Sequence, residues 1–518
     1  MTGTGASDAA ETGLLIRDGV VYSAAADGRV HDPGSVLVVG DTIVAVGPSA
    51  DVDEAVAGCD PAVRAGLRTV DARSMMVLPG FVNAHWHEMY AMRIPFKGAL
   101  RSADDREDEA GFMACGGEMA RIATMFDSFH DLAGQLAPDE AEAIAAYSLW
   151  TQLRSGTTTI ADVGSFTLPH SLADAALRIG LRCVLGTWAT DGVAVPGEGA
   201  FRRTREPEVV LGPLEDVLRR CAQDDSGLLR GRPTAVYPGN MSDELGRGLA
   251  ELVARYDTTF ATHVGALRHE SDATRACFDT TPLRRLHELG LLDHRLMAVH
   301  CAFADEYERS LLIDNRVHIS HSPAKYGSTG ESALTETRLI TELIGAGLDV
   351  SVSTDGVVYP LGGMAENMRA AWQAHNELSA DQTFVRPTDV LAMATRLPAR
   401  GLRWDDEIGS LEAGKRADLV LVSTDDWRYV LNPRPLEAFL HLGGSVDVDT
   451  VIVAGRLLVR AGQAVLLDER QLLEDYLDAL HSFSARRLGI DEKVLRRLLD
   501  DNPRLRRARG AHPTRKLR

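Results

Sequence analysis

The sequence predicts an α/β protein: a (β/α)8 TIM-like barrel with a small β-sandwich domain built from both chain ends. Three observations carry this reading. Through the middle of the chain, eight short apolar strands alternate with amphipathic helices. Many of those strands finish on His, Asp or Thr. Flanking them, two β-rich segments with tight turns sit near opposite ends of the chain. Alternation of strand and helix favours a parallel sheet, and barrels build their active sites at the C-terminal ends of the strands.

The elements follow in order. From about Gly13 to Ala72 come Leu14-Leu15-Ile16, Val20-Val21-Tyr22, Ser35 to Val39 and Thr42 to Val46, separated by Asp18-Gly19 and Gly40-Asp41 turns. Short strands with such turns indicate a small antiparallel assembly. It is too small to stand alone, and its complement lies at Ala417–Val422 and Thr450–Gly455. The barrel strands are expected to end at Asn83–His85, Ile160–Asp162, Leu185–Thr187, Val236-Tyr237, Ala261–His263, Ala298–His300, Ile319–His321 and Ser353–Asp355. Helices are expected at Asp139–Arg154, Ser242–Tyr256, Thr281–Leu289 and Leu334–Ala346, the second opening on an Ser242 N-cap with acid in its first turn. The predicted division is sandwich over 13–77 and 405–467, barrel over 78–404, and a basic helical extension over 468–518. Within the extension, Gln471–Ser482 and Glu492–Asp500 have helical periodicity.

Composition narrows the function. Over 518 residues the formal net charge is −19. It is uneven: residues 485–518 hold 12 basic and 4 acidic side chains, leaving 43 basic against 70 acidic in the rest. An acidic body argues against nucleic-acid binding, and the basic tail is expected to lie on its own body or a sister subunit. No stretch of 18 apolar residues predicts a membrane span. The start has neither a basic n-region nor an apolar h-region, so no secretory signal is expected. Six scattered cysteines without a CxxC pair suggest reduced thiols in a cytoplasmic protein. The expected partner is a small-molecule substrate, and the expected assembly a homodimer or homotetramer.

The chemistry concentrates in Asn83-Ala84-His85-Trp86-His87. Residues i and i+2 of a strand point the same way, so His85 and His87 can share one metal. An HxH pair alone is a weak signal. It sharpens because His263, His300 and Asp355 each end a later strand.

Further motifs stand at Leu153–Asp162, His300-Cys301, His321-Ser322-Pro323, Ser353–Gly356 and Gly409–Val420. With these, over about residues 13–467, the chain resembles the amidohydrolase superfamily, in the branch of methylthioadenosine/adenosylhomocysteine deaminases and s-triazine hydrolases. The resemblance implies that His85, His87, His263 and Asp355 ligate a divalent metal. It implies one metal, because the region of the fourth strand, Pro233–Asn240, lacks the lysine that binuclear relatives carboxylate. Three histidines and a carboxylate suit Zn2+, and Fe2+ or Mn2+ also fits. Asp355 is the implied proton acceptor and later donor. His300 is the implied hydrogen-bonding partner of the nucleophile or developing oxyanion. His321 reads as a supporting histidine.

Two substrate-side features of the purine deaminases are missing. Their glutamate three residues after the fifth-strand histidine is Ala266 here, and their histidine after strand four is replaced by Val236-Tyr237-Pro238-Gly239. Candidates on the substrate side are Trp86, Glu88, Arg268, Glu270, Tyr326 and Tyr359, with Lys325 a possible anion contact beside Arg268. The long connection Glu88–Gln135 is expected to shape the pocket as a lid. The expected activity is hydrolysis of a non-peptide C–N bond in a cyclic amide, amidine or amino-substituted N-heterocycle. The alternative is a deaminase of an aminated purine, pyrimidine or triazine with a relocated proton shuttle, and a non-catalytic binding protein is the reading from outside enzymology.

Overall fold

A computed structural model describes residues 13–87, 123–124, 126–127, 135–164, 168–195, 199–356, 363–430 and 432–500. The two chain ends meet in one nine-stranded mixed sheet. Its seam is the antiparallel pairing of Leu419–Ser423 with Met75–Pro79. From there the sheet runs through Val448–Val453 and Arg456–Arg460 on one side, and through Gly13–Tyr22, Val30–Val39 and Thr42–Pro48 on the other. The strands expected to form a sandwich are thus joined by one continuous hydrogen-bonded path. The long Gly13–Tyr22 strand makes this possible: its first half pairs Leu67–Asp71 and its second half pairs Met75–Pro79. Leu14, Ile16, Val36, Val38, Leu419, Leu421 and Ile452 share one apolar cluster, so neither end buries its surface without the other.

The middle of the chain forms two five-stranded parallel sheets. One carries Leu229–Gly231, Arg182–Leu185, Thr157–Asp162, Phe81–His87 and Asp355-Gly356; the other carries Thr234-Ala235, Phe260–Val264, Leu296–His300, His318–His321 and Val350–Val352. The fourth and eighth strands are each split, one piece in each sheet, at Arg232-Pro233 and Ser353-Thr354. Val82, Ala84, Ala161 and Val184 from the first sheet pack with Ala261, Met297 and Val299 from the second. Arg232 is fully buried between them and donates to the carbonyls of Ala84 and Asp162. Strands buried on both faces favour apolar runs, as in Leu296-Met297-Ala298-Val299; polar residues gather toward the ends of Thr157–Asp162, Phe81–His87 and His318–His321.

Helices expected from periodicity are present as Pro138–Arg154, Asp243–Arg255 and Pro282–Glu288. The Ser242 side chain accepts from Leu245 N, as an N-cap should. The helix expected over Leu334–Ala346 is a correction. It is two short helices, Leu334–Thr337 and Leu339–Gly345, because Arg338 between them takes φ +55° and donates its guanidinium to the Leu378 carbonyl. In the extension, Glu469–Leu488 packs on Pro138–Arg154 through a bidentate Arg486–Glu140 pair and a Tyr147–Tyr476 stack at 4.7 Å. The first helix of the extension therefore lies on the chain's own body and the second, Glu492–Asp500, packs on the first; the basic residues beyond lie outside the described residues. No helix among the described residues is long and apolar enough to cross a membrane.

Two contacts fix the sheet to the strands that carry the site. Gly80 bridges Met75–Pro79 and Phe81–His87, donates to Asp418 O, and has no room for a Cβ, which would lie 2.1 Å from Thr158 Oγ1. Arg182 and Asp418 form a buried two-point ion pair at 2.7 and 3.0 Å, and Asp418 also accepts from Ala454 N. Removing one partner leaves a buried charge unpaired. Asp418→Ala and Arg182→Met are each expected to lower stability by ~3–5 kcal/mol in urea unfolding, and a loss below ~1 kcal/mol in both would show that the pair does not join the two parts.

Candidate metal centre and its aromatic wall

The strand Phe81–His87 is not regular. Phe81 and Trp86 both face the outer apolar cluster although they differ in parity, while Val82 and Ala84 face the interior. The register shift between Asn83 and Trp86 accounts for this. A bulge there re-aims the end of the strand, so His85 and His87 turn inward together with Val82 and Ala84. Trp86 is consequently a correction: it is fully buried in the outer cluster on the opposite side from the histidines, away from any substrate.

Inside, His85 Nε2 lies 2.9 Å from His87 Nε2, which lies 3.0 Å from His263 Nε2. The other ring nitrogens set the tautomers. His87 Nδ1–H donates to Gly164 O at 3.1 Å, and His263 Nδ1–H donates to Val236 O at 2.7 Å. Both Nε2 atoms therefore present lone pairs, not protons, to each other. Burial holds all three imidazoles neutral: His85 falls well below its ordinary value, His87 to about 4 and His263 to about 3. Facing lone pairs in a dry interior call for a cation. Tetrahedral zinc, with bonds of about 2.0–2.1 Å to nitrogen, spaces its ligands about 3.3 Å apart, so the three nitrogens form a slightly contracted cradle of the right size.

Asp355 forms a second, overlapping group with His85 and His300. Its Oδ1 is 3.8 Å from His85 Nε2 and accepts from Gly356 N; its Oδ2 is 3.6 Å from His300 Nε2. Asn83 ties down the preceding residue, donating to Thr354 Oγ1 at 2.7 Å and accepting from Thr354 N at 3.1 Å. Asp355 and His300 both adopt left-handed backbone, at φ +60° and +71°, a costly conformation for non-glycine residues that concentrates at functional sites. The Tyr326 hydroxyl meets His300 Nδ1 at 2.5 Å. Tyr326, expected to touch substrate, thus orients His300.

The other expected substrate contacts divide. Arg268 is a correction: it is half exposed and held bidentately by Glu336, because its loop directs it outward. Lys325, read as an anion contact, is instead buried 2.7 Å from both Asp355 Oδ2 and Glu331 Oε2. Burial alone would raise the Asp355 carboxyl, but Lys325 and the histidines outweigh it and hold it well below the carboxylate range. Glu270 is fully buried. It accepts from Ala266 N at 2.9 Å, and its Oε1 has no hydrogen-bond partner among the described residues. Burial pushes its pKa up to about 8, despite backbone N–H groups of the same turn favouring the charged form. Glu88, Tyr359 and nearly all of the expected lid lie outside the described residues.

Three residues that spacing did not reveal form a wall beside the histidines. Tyr237 stacks on His263 at 5.1 Å, Phe126 stacks on Tyr237 at 5.5 Å, and Trp188 stands edge-on to His87 at 5.4 Å. They share an apolar cluster with Ala266. Trp188 directly follows the expected end of strand three, and Tyr237 sits at the end of strand four, so their positions held the available signal.

Depressed histidine pKa values make stability depend on pH. In the unfolded chain these histidines take up protons below about 6.5; in the folded chain they stay neutral until about 4 or lower. The unfolded state binds more protons in that window, so stability falls as pH drops through it. Chelator-stripped protein is expected to lose urea midpoint between pH 7.5 and 5.5; Glu270, protonated in the fold and ionised in the unfolded chain, opposes this as one group against several histidines. A flat midpoint would contradict the buried neutral assignment.

Residues 76–458 match the Amidohydrolase family. The chain is 27% identical over 469 residues to a 5-methylthioadenosine/S-adenosylhomocysteine deaminase of Pelotomaculum thermopropionicum, covering 89% of this chain and 96% of that one. Among solved structures, a zinc-bound adenosine deaminase from Xanthomonas campestris superposes with a TM-score of 0.74 at 22% identity, covering 91% of this chain and 98% of that one. Atrazine chlorohydrolase from Arthrobacter aurescens, complexed with zinc, gives 0.74 at 23%, covering 90% and 100%. At those identities the two structures speak for the fold. The family match spans most of the length and includes every histidine of the cradle: the chain belongs to the amidohydrolase family.

Proposed function

We propose that this protein hydrolyses a non-peptide C–N bond, in a cyclic amide, amidine or amino-substituted nitrogen heterocycle, with one divalent metal, zinc, held by His85, His87, His263 and Asp355. The two parallel sheets are then the halves of one (β/α)8 barrel over 78–404, closed through its split fourth and eighth strands. Residues 13–77 and 405–467 form the accessory β domain, and 468–518 the extension. The observation that carries the reading is the set of inward Nε2 lone pairs beside a buried carboxylate.

A metal bound there would supply an activated water and polarise the bond under attack. The chain's own groups do the rest. Asp355 takes the water's proton and returns it to the leaving nitrogen. His300, fixed by Tyr326, presents Nε2 to the oxyanion side. Trp188, Tyr237 and Phe126 offer flat apolar faces, which suit a planar ring more than a flexible chain.

One observation favours the deaminase form of this reaction. Glu270 brings a buried carboxyl to the backbone of Ala266, the position where deaminases of this branch carry their glutamate. With its pKa up at about 8 it holds a proton at neutral pH and can act as the relocated acid.

Zinc-loaded protein offered cyclic amides, amidines and amino-substituted purines, pyrimidines and triazines is expected to turn over at least one. Failure with zinc, iron and manganese alike would overturn the reaction class. Asp355→Asn is expected to lower kcat by at least ~10²-fold even at zinc concentrations that saturate it, and unchanged turnover removes Asp355 from the mechanism. Ammonia release that persists undiminished in Glu270→Gln would exclude Glu270 as the acid.

A further inference from the structure

Lys325 and Glu331, which form an ionic cluster with Asp355 beside the histidines, have no part in the steps above. Lys325 belongs to the helix Pro323–Thr329, and its side chain is 11% exposed. Its Nζ lies 2.7 Å from Asp355 Oδ2 and 2.7 Å from Glu331 Oε2. The Glu331 side chain is 2% exposed and that of Asp355 is 7% exposed. Two buried carboxylates thus share one buried ammonium. A single Lys–Asp pair would be neutral and would leave Asp355 little charge to offer a dication. With Glu331 ionised beside the ammonium, the formal charge of the trio is −1, so the ammonium can grip Asp355 without cancelling it. The grip is one-sided. Lys325 holds Oδ2, while Oδ1 accepts from Gly356 N and faces His85.

We propose that Lys325 and Glu331 are a positioning pair for Asp355: the ammonium fixes the carboxylate's rotation, and Glu331 restores the negative charge that the ammonium removes. This rests on Asp355 being a metal ligand. It also explains why a lysine stands on the metal side of the site without serving as an anion contact. Neither residue touches the reacting atoms in this assignment.

The charge count orders four proteins. The trio is −1 in the wild type, 0 in Glu331→Gln, −2 in Lys325→Met, and again −1 in the double variant. Zinc affinity of chelator-stripped protein, measured by competition with a chromophoric chelator, needs no substrate. It therefore separates failure of this inference from failure of the proposed reaction. Glu331→Gln is expected to bind zinc at least about ten-fold more weakly, Lys325→Met at least as tightly as wild type, and the double variant close to wild type. On a substrate found by the panel above, the double variant is expected to lose kcat with KM little changed, because its charge is restored but Asp355 is no longer held. Lys325→Arg should recover part of that loss. If Glu331→Gln binds zinc like wild type, or Lys325→Met loses zinc as Glu331→Gln does, the inference is overturned. Should Glu331→Gln fail to fold, Lys325→Met and the double variant decide: the double must bind zinc more weakly than Lys325→Met, and equal affinities overturn the pair.

Discussion

The imidazole nitrogens of His87 and His263, which face each other without protons beside His85, impose the central constraint on this molecule. Each has been stripped of water, and His87 and His263 have given their only N–H to a backbone carbonyl. Such an arrangement is repulsive unless a cation joins it, so the surrounding structure has to hold it in place. The carbonyls of Gly164 and Val236 that dictate the tautomers follow Thr157–Asp162 and Thr234-Ala235, and His263 rises from Phe260–Val264. Assembly of the site is therefore assembly of the parallel sheets. Any change that loosens the sheets moves the lone pairs apart before it touches a ligand.

The accessory sheet follows from the same demand. The strand Phe81–His87 follows directly from Met75–Pro79, which pairs with Leu419–Ser423 from the far end of the chain. The Arg182–Asp418 pair then anchors that seam to strand three. On the opposite side, the Pro138–Arg154 helix carries the C-terminal helix, whose Ala479 and Phe483 join the apolar cluster behind Tyr237 and Trp188. Both ends of the chain thus brace the walls of one site.

Much of this was readable in the chain. Strands ending at Asp162, His300 and His321 and helices over Pro138–Arg154 and Asp243–Arg255 follow from apolar periodicity and caps, which are local properties. The candidate metal-side residues were legible because side chains at the ends of neighbouring parallel strands converge. The substrate side was less so. Arg268 and Trp86 have the right chemistry and the wrong direction, and direction depends on loop path and on a bulge that no spacing announces. Glu331 is ten residues beyond the end of strand seven, in a segment with no periodic signal.

What the sequence determined by itself is the alternation of strand and helix, the pairing of the two β-rich ends, and the supply of His85, His87, His263, His300 and Asp355 at strand termini. These depend on residue type and period, which act over a few positions. The tertiary structure alone decided which way those groups face. The bulge turns His85 and His87 inward, Tyr326 goes to His300, Lys325 and Glu331 close on Asp355, and Glu270 folds under Ala266. Most of these outcomes are contacts that burial favours, since an unpaired buried polar group is costly. The partner it finds depends on which loops the closed fold brings within reach.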